Sequence, residues 1–432
     1  MLILFVGLRL SVQTGFVQIR RLPDALKEAY RSITNKQSAS GMSAYRALCT
    51  ALAGTVGTGN LAGVAGAICI GGPGAIFWMW ICGMIGMVIK FAEVILAVQY
   101  RQKDSTGAWI GGSMYIIQQA MPDRMRFLAG VYCFLGVAAS IGVGNTVQIN
   151  TFVTGVNEIL INRNHTPGIA SSAVIGLLMT MFVYIAFRKG SGRIGFLAQI
   201  LVPAAAGLYI ILAFGVILMN AHHIPNALMS IVSGAFNPRA VTGGMVGSLF
   251  TTIRIGTSRG VFTNEAGMGT ASIAHAESST NSPVLQGYLG MIEVFLDTLV
   301  ICTLTALAIL CSDIPIPYGE EYGIELTMAA FSSVYGSWIL FPVTVIVCLL
   351  ATATILGWGL YAVRCAQYLF GEKIWSYFTA IHAIAVFAGA LMNTSSVWLI
   401  SELMNGLMAI PNLIMLIYMT PVFVKIVKAS RL

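Results

Sequence analysis

The chain has 432 residues, of which 57% are hydrophobic and only 9% charged, with a formal charge of +8 and a mean hydropathy of +0.82. Length alone would suggest two or three soluble domains, but so little charge excludes a soluble surface and places the chain among polytopic membrane proteins. The positive balance fits basic cytoplasmic loops, so it gives no ground for a nucleic-acid partner.

Positions 1–19 form a marginal span interrupted by Arg9, without a cleavable signal pattern. A basic stretch follows with Arg20, Arg21, Lys27, Arg31, Lys36 and Arg46, which belongs on the cytoplasmic face. We expect 1–42 to be a shortened N-terminal helix with an amphipathic basic segment.

The next helix, 45–70, contains the most informative stretch of the chain, LAGTVGTGNLAGVAGAICIGGPG at 52–74. Gly54, Gly57, Gly59, Gly63 and Gly66 each weaken a helix interior by roughly 0.5 to 1 kcal/mol. Close helix contact accounts for any one of them. Their density, with Thr55, Thr58 and Asn60 interleaved, predicts that 54–60 is unwound. In a bilayer such backbone is tolerated only where it is buried in protein or lines an aqueous cavity. Gly57, Gly59 and Ala62 also match GxGxxA, but the preceding strand and the later acidic residue of a dinucleotide fold are missing.

Beyond the turn at 71–74 we expect a helix at 75–99, a short surface helix at 111–115, and spans at 127–160, 169–187 and 194–219. These complete a first repeat at 43–220, and 221–241 forms an extracytoplasmic connection. A second repeat at 242–420 opens with a glycine-interrupted helix at 243–274, whose break is predicted at 256–260 (GTSRG). Spans at 285–310, 338–361, 374–391 and 397–418 follow, and 421–432 is a basic cytoplasmic tail. This layout puts Arg188, Lys189, Arg193, Lys373, Lys425, Lys428 and Arg431 inside. Arg163 and Arg239 lie outside with Asp313, Glu320, Glu321 and Glu325. An odd number of spans per half inverts the second half. Interrupted helices at matching positions of inverted halves point to a midplane site in a secondary transporter.

At the first break, the half-helix starting near Gly59 and Asn60 presents N–H groups suited to a carboxylate, and the carbonyls left behind suit a cation. Hydroxyls such as that of Thr354 would complete an oxygen shell. Gln148 lies one turn after Asn145; a helix-to-helix hydrogen bond and a site role both fit it. Arg259 and Glu265 flank the expected second break and Asp297 lies deep in the following span, which favours gating or coupling. Lys90 and Glu93 are spaced to neutralise one another, and Glu293 has no evident partner.

The eight cysteines (Cys49, Cys69, Cys82, Cys133, Cys302, Cys311, Cys348 and Cys365) show no metal-ligand spacing and are expected to be packing residues. No GxxxxGK[ST] loop offers a seat for ATP, and no HExxH is present, so we expect no enzyme. An ion gradient suffices: about 2.3 kcal/mol per charge from 100 mV and about 1.4 kcal/mol from a tenfold gradient would hold a neutral zwitterion at roughly 500-fold accumulation.

The segments GTVGTGNLAGVA, GGPGAIFWMW, KFAE, GNTVQIN, RGVFTNEAGMGTASIAHA and FLDTLVICTLTA resemble the alanine or glycine:cation symporter family of prokaryotic membrane proteins, from about Phe16 onward. The resemblance implies an all-α, leucine-transporter-like fold: a five-plus-five inverted repeat with an extra N-terminal helix. It further implies that Thr58, Gly59 and Asn60 hold the substrate carboxylate, that Gln148 approaches the substrate, and that carbonyls at Gly256 and Thr257 meet the ammonium. Ile355 and Trp358 would wall the side-chain pocket. The carbonyls of Ala53 and Val56 with the Thr354 hydroxyl would bind sodium. This chain departs from the pattern at Ala353-Thr354, where the family often has Ser-Thr, at Ala362-Val363 after Tyr361, where it has Gly-Glu, and in GGSMYII for GGPMYYI.

The expected function is sodium-coupled uptake of a small neutral amino acid, alanine or glycine, by a multi-pass transporter of a prokaryotic inner (plasma) membrane. Sodium would be a co-transported ion, with no cofactor, no nucleic acid and no obligate protein partner beside the lipid bilayer. The rival readings are glutamine or another neutral amino acid as cargo, a proton as the ion, a passive channel, or an inactive sensory member.

Overall fold

The computed structural model describes residues 2–34, 42–246, 248–320, 322–392 and 394–430, the side chains of 394–402 excepted. Lys36, Glu321 and Arg431 of the charge pattern lie outside the described residues.

The first half comprises α1 (Leu2–Gln13), α2 (Leu22–Thr34), α3 (Ala44–Thr55), α4 (Ala62–Gly71), α5 (Gly74–Gln99), α6 (Ser113–Ala120), α7 (Phe127–Ile141), α8 (Val147–Asn162), α9 (Ile169–Phe187) and α10 (Ser191–Met219). The second comprises α11 (Ile224–Gly234), α12 (Leu249–Asn264), α13 (Thr270–Ala276), α14 (Pro283–Val294), α15 (Thr303–Cys311), α16 (Ile324–Tyr335), α17 (Leu340–Phe370), α18 (Ile374–Ala390) and α19 (Thr394–Ala429). Among the described residues, seven helical spans are long and apolar enough to cross a membrane, or eight when the bent pair α3/α4 counts as one. The chain is a multi-pass membrane protein with a leucine-transporter-like fold: a five-plus-five inverted repeat preceded by α1.

Serines start the helices that matter most. Ser43, Ser248 and Ser282 accept the backbone N–H groups of Arg46, Thr251 and Leu285 at the beginnings of α3, α12 and α14, each satisfying a donor that has no partner within its helix. α5 packs lengthwise on α12 and α14, and α17 on α3, α7, α8 and α10. Two spans carry a wide turn: Gly142–Thr146 joins α7 to α8, and Phe295–Cys302 joins α14 to α15. Such π-type turns often mark functional positions in helices.

The first break lies where its glycines predicted it. A 3-10 turn, Thr58–Asn60, separates α3 from α4, and the two are bent by 56°. The second break does not lie at 256–260: α12 runs unbroken through those residues, and the chain leaves the helix at 265–269. Glu265, Gly267 and Gly269 have φ of 53°, 88° and 76° there, all left-handed. Gly256 and Gly260 serve close packing instead. A methyl group at Gly256 would stand 2.3 Å from the Ala75 carbonyl oxygen, and one at Gly260 would stand 2.9 Å from Cys82 Cβ. Four-residue spacing puts both on one face of α12, where small residues let two membrane helices approach.

Three other expectations change. α6 is short as expected, but it is no surface helix, because Met114, Ile116 and Ile117 are fully buried. The connection expected at 221–241 contains α11, and α16 lies between the spans expected at 285–310 and 338–361. The N-terminal span stops at Gln13, and the chain turns at Gly15 and Phe16 with positive φ.

Candidate functional site

The last helical bond of α3 runs from Val56 N–H to the Leu52 carbonyl, 2.7 Å. In an unbroken helix the next N–H, that of Gly57, would donate to the Ala53 carbonyl. It donates instead to Asn60 Oδ1, 2.9 Å away. The side chain of Asn60 thus captures the first donor of the break and releases the Ala53 carbonyl from that partner. Thr58 donates twice to Gln148 Oε1, from its N–H at 3.3 Å and its hydroxyl at 2.9 Å. Gln148 is held in turn by its amide, which donates to the Val143 carbonyl in the wide turn, 3.0 Å. Gln148, Thr58, Gly57 and Asn60 therefore form one cluster, as does Thr354 from α17. Thr354 is 1% exposed, and its hydroxyl has no hydrogen-bond partner among the described residues. A methyl group at Gly57 would stand 2.5 Å from Thr354 Oγ1 and 3.2 Å from Gln148 Oε1. Only glycine fits at that position. Ala53 lies against the same helix, since a methyl at Gly357 would stand 3.2 Å from the Ala53 carbonyl carbon. Val56, the residue that follows α3, is buried with ψ of 90°.

The second break is held by carboxylates. Glu93 on α5 accepts the N–H groups of Gly267 and Gly269 at 3.0 and 3.1 Å and the Asn412 amide at 2.6 Å, all on one oxygen. Asn412 also donates to the Gly267 carbonyl and accepts from the Ser113 hydroxyl. Glu265 accepts the Trp358 indole N–H and the Thr270 hydroxyl, each at 2.5 Å. Asp297 joins the two breaks: one oxygen accepts the Asn60 amide at 2.6 Å, the other the Thr298 hydroxyl at 2.8 Å. That hydroxyl also takes the amide of Asn264, the last residue of α12, at 3.2 Å. Glu93, Asn264 and Asp297 are fully buried and Glu265 is 1% exposed.

Two carboxylates therefore have partners other than those expected. Lys90 does not face Glu93; it lies 3.2 Å from Glu293 on α14, and the other oxygen of Glu293 lies 3.2 Å from His275 Nε2. Glu93 is freed for the break. The i, i+3 spacing puts Lys90 and Glu93 on one face, but desolvation drives each toward the partner that satisfies it best across the helix interface. The clasp of the second break by Glu93 was missed by the sequence reading, although a carboxylate within a span was its signal.

Of the remaining expected residues, Gly59 lies against Phe262, 3.2 Å from a methyl built on it. Trp358 is fully buried between Glu265 and the wide turn, where a methyl at Gly144 would stand 2.1 Å from Trp358 Cβ. Ile355 is not brought to the break. Its side chain packs with Ile149, Val153, Val183 and Phe187, and its carbonyl meets His382 Nε2 at 3.1 Å. Gly256 is occupied by its contact with α5, and Thr257 lines a separate cavity beside α1 and α19. Neither joins the second break, because that break begins several residues later. Arg259 sits half-buried within α12.

Comparisons with known proteins show the family and the fold. The model of the sodium:alanine symporter family matches residues 1–431. The sodium/alanine symporter AgcS of Methanococcus maripaludis is 38% identical over 432 residues, covering 99% of this chain and 93% of that protein. The probable sodium/glutamine symporter GlnT of Bacillus subtilis is 35% identical over 424 residues, covering 98% and 85%. Among solved structures, MhsT in complex with L-phenylalanine superposes with a TM-score of 0.60 at 15% identity, covering 92% of this chain and all of that one. Mhp1, a nucleobase-cation-symport-1 family transporter, superposes with a TM-score of 0.53 at 12% identity, covering 85% and 75%. These two show the shared fold.

Proposed function

Because the chain belongs to the sodium:alanine symporter family, a family of transporters and not of enzymes, we propose that it carries a small neutral amino acid, alanine or glycine, inward together with sodium. It does so by alternating access across the inner (plasma) membrane of a prokaryote. The observation that carries this reading is the buried Thr354 hydroxyl facing Gly57, which has no hydrogen-bond partner among the described residues. A buried hydroxyl left unsatisfied costs about 1 to 3 kcal/mol, and a hard cation wants an oxygen there.

Sodium sits between the Thr354 hydroxyl and the carbonyls of Ala53 and Val56. The substrate carboxylate lies against the N–H groups of Gly59 and Asn60, where the 3-10 turn opens toward α4. Thr58 and Gln148 fix its orientation. Carboxylate and cation side by side reduce each other's desolvation cost, which makes binding of one depend on the other. Trp358, seated against Gly144 and bonded to Glu265, limits the side-chain space and carries the state of the site to the second break.

The test is uptake of labelled alanine into proteoliposomes under an inward sodium gradient, and under potassium or proton gradients in its place. Accumulation with sodium alone is expected. Accumulation driven by protons alone would discard the cation site, and strong competition by unlabelled glutamine would reassign the cargo.

A further inference from the structure

α1 packs on α19, and a cavity of about 260 Å³ lies where the two helices end. Thr14, Gly15 and Arg20 line it from the turn after α1, and Val424, Val427 and Lys428 from the last turns of α19. No acidic residue is among those that line it. Arg20 gives one N–H to the Thr14 carbonyl, 3.0 Å away, which leaves four of its five donors. Neither Arg20 nor Lys428 has a carboxylate partner among the described residues.

A base at the end of a helix complements its dipole, and one at each end would need no further account. Here two bases from two helices share one cavity without an acid between them, so each raises the cost of the other. An anion there would relieve both. Basic pockets between the ends of membrane helices are suited to phospholipid headgroups.

The surroundings separate a lipid from a free anion. Phe5, Leu8 and Val12 stand 59, 52 and 60% exposed on α1. Their spacing puts them on one face, an apolar stripe that runs down to the cavity. Two residues after Arg20 the chain enters α2, whose 13 residues are too short to cross a bilayer. α2 buries Ala25 and Ala29 where it packs on α14 and exposes Leu26, Tyr30 and Ile33, with Lys27 and Arg31 beside them. Such a helix lies in the membrane interface, at the level of the headgroups. The cavity therefore joins a cationic cradle to an apolar track, which matches an anionic amphiphile and not a soluble ion.

We propose that this cavity holds the phosphodiester of an anionic phospholipid. Arg20 and Lys428 donate to the phosphate oxygens, one acyl chain lies along Phe5, Leu8 and Val12, and α2 rests among the headgroups of the same leaflet. The lipid thereby ties α1 to α19, whatever the cargo of the central site.

The test is native mass spectrometry of the purified protein in detergent with equal amounts of phosphatidylglycerol and phosphatidylcholine, counting the lipids kept per chain. Wild type is expected to keep one phosphatidylglycerol in preference to phosphatidylcholine. The double variant Arg20→Gln, Lys428→Gln is expected to hold it about thirtyfold more weakly, as the loss of two basic contacts to an anionic headgroup would give. Both residues are exposed, so this variant should fold, with a melting temperature in phosphatidylcholine close to that of wild type. Arg163→Gln with Lys189→Gln removes the same charge from exposed residues that do not line the cavity, and should keep the lipid. Equal loss from both double variants would reduce the binding to overall charge and overturn the site. A lipid kept by the Arg20 and Lys428 variant, or no preference in wild type, would overturn it as well. Displacement of phosphatidylglycerol by millimolar inorganic phosphate would make the ligand a soluble anion and overturn the lipid.

Discussion

The two helix breaks face each other across one bundle and are satisfied by opposite chemistry. At the first, neutral groups of the chain capture the freed donors: Asn60 takes the Gly57 N–H and Gln148 takes Thr58. At the second, Glu93 and Glu265 take the Gly267 and Gly269 N–H groups, the Trp358 indole and the Thr270 hydroxyl. A charge-assisted bond is roughly twice as strong as a neutral one. The carboxylate-held break is therefore the more firmly tied of the two, and the neutral one, beside a Thr354 hydroxyl that has no hydrogen-bond partner among the described residues, is the break we propose for ligands. An interrupted helix marks a place where backbone groups are free to bind; which groups the protein itself already satisfies decides whether a solute binds there.

The contrast can be broken most severely at Glu93. Replacement by Ala strips the second break of three donors' acceptor at once, and a loss of about 3 to 5 kcal/mol is expected, read as a large drop in melting temperature or failed assembly. Glu93→Gln should recover part of it. Next comes Gly57→Ala, whose methyl would stand 2.5 Å from Thr354 Oγ1. Uptake should fall by a factor of about 100, or about 2.7 kcal/mol, with helical content by circular dichroism unchanged. Uptake within twofold of wild type would show that the first break is not the ligand site.

Thr354→Ala sharpens the comparison with a smaller effect. The sodium concentration for half-maximal uptake should rise about tenfold, equivalent to about 1.4 kcal/mol, while the order of competing amino acids stays the same. An unmoved sodium dependence would remove Thr354 from the cation site. The smallest effect is expected for Trp358→Phe, which loses the bond to Glu265 but keeps most of the wall. A neutral-to-charged hydrogen bond contributes about 1.5 to 3 kcal/mol at most; uptake slowed about fivefold, with competition by larger amino acids slightly eased, is the expected result.

The first break was legible because five glycines and three polar residues stand within fifteen positions of an apolar helix, and no packing need accounts for all of them. The second was placed too early because Gly256 and Gly260 carry the same letters for a different reason: they let α12 close on α5. The true break starts at Glu265, a left-handed residue without glycine's usual signature. Partner choice was hidden for a related cause. Lys90 and Glu93 satisfy the local spacing rule for a pair, yet Lys90 meets Glu293 from a helix some two hundred positions away, and only the packing of α5 on α14 brings them together. The same limit applies to Ile355 and Trp358, three residues apart on α17 but turned into different parts of the bundle.

Asn60 leaves one last consequence. A single amide faces two ways, its oxygen toward the Gly57 N–H and its nitrogen toward Asp297. It cannot flip without setting its oxygen against a carboxylate. Nor can an acid of the same shape replace it, since two carboxylates would then meet at the 2.6 Å now spanned by N–H and O. Positions 60 and 297 are therefore coupled unequally: an acid at 60 would set a second carboxyl against Asp297, whereas an amide at 297 would still offer an oxygen to the Asn60 nitrogen.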